Sequence, residues 1–349
     1  MDKPHIVSIV GARPNFVKLA ALSPELRKVA KETIIHTGQH YDYNLSKIFF
    51  EQMGIFEPDS HLEIIADTHG KQTGQMLIAI ETALEFKHPD AVIVFGDTNS
   101  TLAGAIAAVK LHIPVIHIEA GVRSYDKKMP EEINRIMVDH ISTMLFTPTC
   151  NAAHTLIFEG IAANNIFECG DVMVDLLSRE PLRPLCFENY GDYYLLTIHR
   201  EENDNLNKLK EIFKGFSKIT SDTIIFPCHP RIRKYITALK LSKNIKVIDP
   251  VGYFEMRYLE RNALKIITDS GGVQKEAYLL KIPCITLRKN TEWVETLDGN
   301  WNILTNGTSG EIRKALVTIQ NQDAYYPEIF GKPGVCGRIS KSIMEELNG

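Results

Sequence analysis

Residues 268–276 read Thr-Asp-Ser-Gly-Gly-Val-Gln-Lys-Glu, a combination suited to holding a phosphorylated ligand. The apolar run at residues 264–268 spells a short buried strand, and a helical pattern follows at once. Gly271 and Gly272 let a ligand approach the backbone closely, and a helix start offers free N–H groups and a positive dipole end. Ser270 can add a hydroxyl, and Glu276, about one turn on, can accept from ribose hydroxyls. An ordinary helix cap has the same form, and the segment alone leaves that alternative open. Other polar groups also follow apolar strands: Arg13 and, a turn further in, Lys18; Asp97; Glu119; His199; and His229. Glu131 opens a helix after Pro130. Clustered carboxylates raise one another's pKa, which suits one to general-base and another to general-acid work. The arginines, histidines and the Ser-Gly-Gly turn suit a diphosphate. Together these residues read as proton transfer beside a departing nucleoside diphosphate. Each has a plainer alternative. Asp97 can cap a helix, Glu131 can sit in a first turn for the dipole, and Arg13 with Lys18 can be an exposed capping pair. The histidines can be structural. Glu119, directly after an apolar strand, needs a partner.

Such groups converge only if parallel strands carry them. The spacing predicts strands at residues 5–10, 33–36, 91–95, 115–118 and 144–147. A second series is expected at 194–198, 223–227, 246–248, 264–268 and 283–287. Helical patterns fall between them, at 15–29, 71–86, 101–111, 131–142 and 206–219, with one more at 338–347. This alternation is the α/β signature, and two series imply two doubly wound sheets with ligands at the carboxyl ends of the strands. The change between them is expected within residues 170–184, a Gly- and Pro-bearing stretch. No GxGxxG turn is present, which argues against a nicotinamide cofactor. The 349 residues carry a net charge of −4, giving no electrostatic case for nucleic acid or an acidic membrane surface. No apolar run approaches a membrane span, and the N-terminus lacks signal-peptide form. Six scattered cysteines without a CxxC pair read as reduced residues of a cytosolic protein, and no metal site is expected.

With these residues in place, the chain resembles the non-hydrolysing UDP-N-acetylglucosamine 2-epimerases over nearly its whole length. The likeness rests on GARPNFVK at 11–18, HTGQHYD at 36–42, GDTNSTLAGA at 96–105 and HIEAGVRS at 117–124. It continues through PEEINR at 130–135, GDVMVD at 170–175, HREEN at 199–203 and TDSGGVQKEA at 268–277. The resemblance implies the glycosyltransferase-B architecture: two Rossmann-like domains with parallel sheets facing across a cleft, usually in a homodimer. Residues 1–172 and 173–330 would be the domains, with the helix at about 331–349 returning to the first. It implies no metal or nicotinamide, a cytoplasmic enzyme, and elimination of UDP to a 2-acetamidoglucal followed by re-addition. By motif, Asp97, Glu119 and Glu131 match the catalytic carboxylates and His199 the essential histidine. Ser270, Gly271 and Gly272 match phosphate donors, Glu276 the ribose ligand, and Arg13, Lys18 and His229 residues near the nucleotide. Tyr253 lies near the base-binding segment.

Two departures stand out. The usual Thr-Glu-Arg-Pro-Glu segment reads Thr291-Glu292-Trp293-Val294-Glu295. That form more closely resembles the UDP-2,3-diacetamido-2,3-dideoxyglucuronate 2-epimerases, with Arg288 and Lys289 as candidates for a sugar carboxylate. The activator motifs of some bacterial members read Lys71-Gln72-Thr73 and His199-Arg200-Glu201-Glu202-Asn203. Lysine lacks the guanidinium fork, so weak or absent activation by a second UDP-sugar is expected. The rival readings are a glycosyltransferase of the same fold, a hydrolysing epimerase and a non-catalytic UDP-sugar sensor. Three carboxylates exceed what simple transfer needs, and a sensor should have lost one of Asp97, Glu119, Glu131 or His199.

Overall fold

The computed structural model describes residues 3–39, 50–51, 53–64, 68–179, 190–216, 222–318 and 326–349. Residues 40–42 of one motif, Cys186, residues 180–184 of the expected linker and residues 217–219 of one expected helix lie outside them. The chain divides into two compact units, Met1–Pro181 with Glu328–Gly349, and Leu182–Pro327.

The first unit runs β1 (His5–Val10), α1 (Arg13–Val29), β2 (Lys31–His36), β3 (Ser60–His61), α2 (His69–Lys87), β4 (Ala91–Phe95) and α3 (Asn99–Lys110). It continues with β5 (Val115–Ile118), α4 (Pro130–Ile141), β6 (Met144–Thr147), α5 (Cys150–Phe158), β7 (Ile166–Glu168) and α6 (Val172–Arg179). The sheet order is β3-β2-β1-β4-β5-β6-β7, and every pairing is parallel. β1 and β4 are the central pair, and Ile6, Val7, Val10 and all of Ala91–Phe95 have no solvent exposure. Unbroken apolar runs suit strands covered by helices on both faces. Because the chain builds outward from β1 to β3 and then returns to β4, the β1/β4 crevice is the topological switch point.

The second unit repeats this logic: β8 (Tyr193–Thr197), α7 (Leu206–Gly215), β9 (Thr223–Pro227), α8 (Pro230–Arg233), α9 (Ile236–Leu239), β10 (Ile245–Ile248) and α10 (Tyr253–Arg261). Then come β11 (Lys265–Thr268), α11 (Gly271–Leu279), β12 (Cys284–Thr286), β13 (Asn302–Leu304) and α12 (Ser309–Val317). Its parallel order is β10-β9-β8-β11-β12-β13, so its switch point lies between β8 and β11. A core of Leu196, Ile198, Ile212, Phe226, Ile267 and Ile285 fills one side of that sheet. The last helix, α13 (Val335–Asn348), packs on α1 and α6 of the first unit.

The fold class is α/β of the glycosyltransferase-B type, with two Rossmann-like units. The sequence reading set the change of unit at 172/173, whereas α6 packs on α1 and α13 and stays with the first unit. The C-terminal return begins at Glu328 rather than 331. Three short edge strands, β3, β7 and β13, were not expected from the sequence. Among the described residues, no helix is long and apolar enough to cross a membrane.

Candidate active site

At the first switch point Asn15 joins the two loops. Its Oδ1 accepts from the backbone N–H of Gly11 and Ala12, both at 3.2 Å, and its Nδ2 donates to the Phe95 carbonyl at 2.8 Å. Gly96 follows in the left-handed region (φ 63°), and a Cβ there would lie 2.9 Å from Lys18 Nζ. Lys18 is no solvated cap. Its Nζ lies 2.9 Å from Glu119 Oε1, with the side chains 8% and 12% exposed. Glu119 thus has the partner its place after an apolar strand required.

Asp97 does not cap α3; Thr98 does, its hydroxyl accepting from Thr101 N. Asp97 Oδ2 instead takes Arg135 Nη2 at 2.5 Å, and Arg135 Nη1 also reaches Glu132 at 2.9 Å. Of the two acids opening α4, Glu132 is the buried one, accepting from Ser124 N and Oγ, both at 2.9 Å, and Tyr125 N at 2.7 Å. Burial pushes its carboxyl up, but the Ser124 and Tyr125 N–H groups and Arg135 outweigh that and hold it below the ordinary value. Glu131 is half-buried in the first turn of α4 and has no ion-pair or hydrogen-bond partner among the described residues. Arg13, at the first position of α1, is exposed.

At the second switch point, buried Asp269 is the organiser. Its carboxylate accepts from His199 N (2.9 Å), Arg200 N (3.1 Å) and Asn203 Nδ2 (2.8 Å), binding the β8 loop to the β11 loop. The rings of His199 and His229 meet edge to face, centroids 5.8 Å apart. His229 also caps α8, its Nδ1 accepting from Arg231 N at 3.3 Å. Ser270 caps α11, accepting from Val273 N at 3.4 Å. The next two N–H groups, of Gly271 and Gly272, have no acceptor among the described residues, the arrangement that receives an anion.

Glu276, one turn further, is nearly buried and ion-paired to Arg257, which also pairs with buried Glu260. Tyr253 is buried in the first turn of α10, its ring centroid 5.3 Å from the Arg257 guanidinium. The divergent 291–295 segment is fastened to α11. Thr291 Oγ1 donates to Gln274 Oε1 at 2.7 Å, and Lys275 Nζ stands 4.6 Å from the centre of the Trp293 ring. Arg288 is buried and paired with Glu292 at 2.8 Å, while Lys289 is exposed.

The first unit therefore groups Lys18, Asp97 and Glu119 with Arg135, and the second groups His199, His229, Ser270, Gly271 and Gly272 with Asp269. Sequence reasoning missed Asn15, Arg135, Asp269 and Arg257. Asn15, Arg135 and Asp269 lie in the quoted motifs but have partners far along the chain, and Arg257 meets Glu276 on another helix, so spacing alone did not reveal them.

A protein-family model described as UDP-N-acetylglucosamine 2-epimerase matches residues 24–344. A UDP-N-acetylglucosamine 2-epimerase homolog of Methanococcus maripaludis is 49% identical, covering 98% of this chain and 99% of its own. The UDP-2,3-diacetamido-2,3-dideoxy-D-glucuronate 2-epimerase of Pseudomonas aeruginosa is 45% identical over 86% of this chain and 87% of its own. The crystal structure of Methanocaldococcus jannaschii UDP-GlcNAc 2-epimerase in complex with UDP-GlcNAc and UDP superposes with a TM-score of 0.88 at 43% identity. That superposition covers 99% of this chain and 100% of the other.

Proposed function

The chain belongs to the UDP-N-acetylglucosamine 2-epimerase family of isomerases, and we propose that it interconverts UDP-N-acetylglucosamine and UDP-N-acetylmannosamine. The observation that carries this reading is the α11 start at a topological switch point, with two N–H groups unclaimed among the described residues, inside a chain matched by that family over residues 24–344.

In this reading the second unit holds UDP. Gly271, Gly272 and Ser270 meet the diphosphate, Glu276 the ribose and Tyr253 the base, with His199 and His229 beside the phosphates. Arg13 and Lys18 are the basic residues that add positive charge near the nucleotide. A carboxylate among Asp97, Glu119 and Glu131 takes the C2 proton. The C2–H electron pair becomes the C1=C2 bond, and the C1–O pair leaves with the β-phosphate. A proton then returns to C2 on the opposite face as UDP adds back at C1. The C2–H is weakly acidic, so oxocarbenium character at C1 and pre-arranged phosphate donors have to lower the barrier together. No metal or nicotinamide enters this scheme. The proposal extends to a homodimeric, cytoplasmic enzyme serving surface-polysaccharide precursor synthesis. Ile78 and Phe86 on α2 and Ile133 and Met137 on α4 are exposed apolar side chains open to self-association.

A second reading keeps the chemistry and changes the sugar to UDP-2,3-diacetamido-2,3-dideoxyglucuronate. The Trp293 variant of the 291–295 segment favours it. Proton NMR in D2O with each sugar separates the two. Deuterium entering C2 with appearance of the manno epimer identifies the substrate. Exchange with neither, despite UDP binding, would refute both.

A further inference from the structure

β5 carries a histidine in an otherwise apolar run, and His117 has no solvent exposure. Its ring spans two elements. Nδ1 lies 2.7 Å from Asp139 Oδ1 on α4, and Nε2 lies 2.7 Å from the Gly96 carbonyl at the end of β4. Asp139 Oδ2 takes Arg123 Nη1 at 2.6 Å and Gly121 N at 3.1 Å. Arg123 in turn makes a two-pronged bond to Glu159, at 2.9 and 2.7 Å. The two ring nitrogens thus meet a carboxylate on one side and a backbone carbonyl on the other.

The loops this pair touches are those that carry two of the carboxylates. Gly96 directly precedes Asp97, and its peptide plane, whose oxygen the ring holds, sets where Asp97 starts. Glu119 stands two residues after His117 with φ 73°, a left-handed conformation that side-chain-bearing residues rarely adopt. Such a backbone persists only where its surroundings over-determine it. Here Glu119 N and Ala120 N both donate to the Phe146 carbonyl, and Asp139 holds Gly121 N on the far side of the turn.

We propose that the buried His117–Asp139 pair is a positioning unit, which locks the Gly96–Asp97 turn and the left-handed Glu119 turn to one another. Neither residue touches the substrate. The inference rests on the reading that Asp97 and Glu119 move protons, and it adds the element that fixes their relative placement. A buried pair serving only stability would lower melting temperature and leave turnover per folded molecule unchanged.

The test uses His117→Asn and His117→Gln in the full chain. The amide nitrogen of asparagine replaces Nδ1 and keeps the donor to Asp139. That of glutamine replaces Nε2 and keeps the donor to Gly96. Folded His117→Asn is expected to lower kcat and C2 deuterium exchange about 10–100-fold, with KM and the UDP Kd within about threefold of the parent. His117→Gln, which keeps the Gly96 contact and loses the one to Asp139, should fall less, about three- to tenfold in kcat with KM unchanged. A folded His117→Asn with parental kcat would overturn the proposal, as would losses in both variants that track folded fraction alone. Should His117→Asn fail to fold, His117→Gln decides: a KM-neutral fall in kcat of about three- to tenfold supports the pair, and parental kcat refutes it. Asp97→Asn and Glu119→Gln run in parallel. If they keep C2 exchange, the carboxylate reading itself fails. If they lose exchange and His117→Asn does not, only the positioning role fails.

Discussion

Two adjacent glycines at the start of α11 meet opposite surroundings. A Cβ on Gly271 would fall 1.9 Å from Glu292 Oε1 and 3.0 Å from its Cδ, and Glu292 is held by Arg288. A Cβ on Gly272 would find only Ser270 Oγ, at 3.8 Å. Gly271→Ala is therefore expected to lower stability by about 1–2 kcal/mol through the displaced Glu292. Gly272→Ala should keep or raise the melting temperature, since alanine is favoured over glycine in a helix by up to about 1 kcal/mol. It should nonetheless weaken UDP binding about tenfold or more, because the methyl stands where a phosphate would approach the backbone. Calorimetric titration with UDP beside thermal melts checks both; an unchanged Kd in Gly272→Ala would remove the α11 start from the nucleotide site. The sequence marks this Gly-Gly pair plainly but hides which glycine is tight, because Glu292 comes from another loop. The same holds for Asp97, whose choice between capping α3 and pairing with Arg135 turns on a residue in α4. Glu119 was the easier case: a carboxylate after an apolar strand needs a cation, and only the identity of Lys18 as that cation came from the fold.

At the scale of elements, α4 carries its own pH dependence. Glu132 and Asp139 lie on it with buried side chains and hold the 121–125 loop by its N–H groups. Burial alone would raise the Asp139 carboxyl, but His117 and Arg123 prevail and hold it below its ordinary value, as Ser124, Tyr125 and Arg135 do for Glu132. A depressed folded-state value means that the unfolded chain binds the proton first as pH falls. The stabilisation is therefore complete above the ordinary values of 4.5 for Glu132 and 3.8 for Asp139, and is lost as pH drops through them towards the folded values. The share of stability held by these two carboxylates should stay level from neutral pH to about 5.5 and fall below about 4.5. Glu132→Gln should melt lower at neutral pH and show a shallower acid slope. Circular-dichroism melts across this range decide it, and a slope equal to the parent's would exclude Glu132 as a contributor. Elements of this kind were legible where burial on both faces wrote a mainly apolar run: β1, β4, β5, β6 and β9 span the residues expected of them. β3, β7 and β13 were not, because strands of two or three residues at or near a sheet edge need no such run. Polar content inside an apolar strand, His117 above all, was the one readable sign of the network beneath the site.

For the whole molecule, the two units have separate cores and separate demands, so perturbations of one should leave the other's signature intact. The first unit is closed by the chain's end. Asp175 on α6 accepts from the N–H groups of Gly334, Val335 and Cys336, at 2.6, 3.2 and 2.8 Å, and so caps α13, whose own cap residue is a glycine without a side chain. Val335, Cys336, Ile339 and Ile343 of α13 are buried in that unit. Removing the Asp175 carboxylate leaves those donors unpaired, and Asp175→Ala should destabilise the first unit by about 1–3 kcal/mol. UDP should have the opposite effect on stability. A ligand at 100 times its Kd stabilises what it binds by about 2.7 kcal/mol, and the reading given above puts its main contacts in the second unit. Hydrogen exchange followed by mass spectrometry resolves both effects in one experiment. Asp175→Ala should speed exchange in α13 and α1 while leaving residues 269–276 as they were. Saturating UDP should slow residues 199–203 and 269–276 and leave α13 unchanged. If UDP instead protected residues 11–18 alone, nucleotide binding would belong to the first unit, and the Ser270-Gly271-Gly272 turn would be an ordinary helix start.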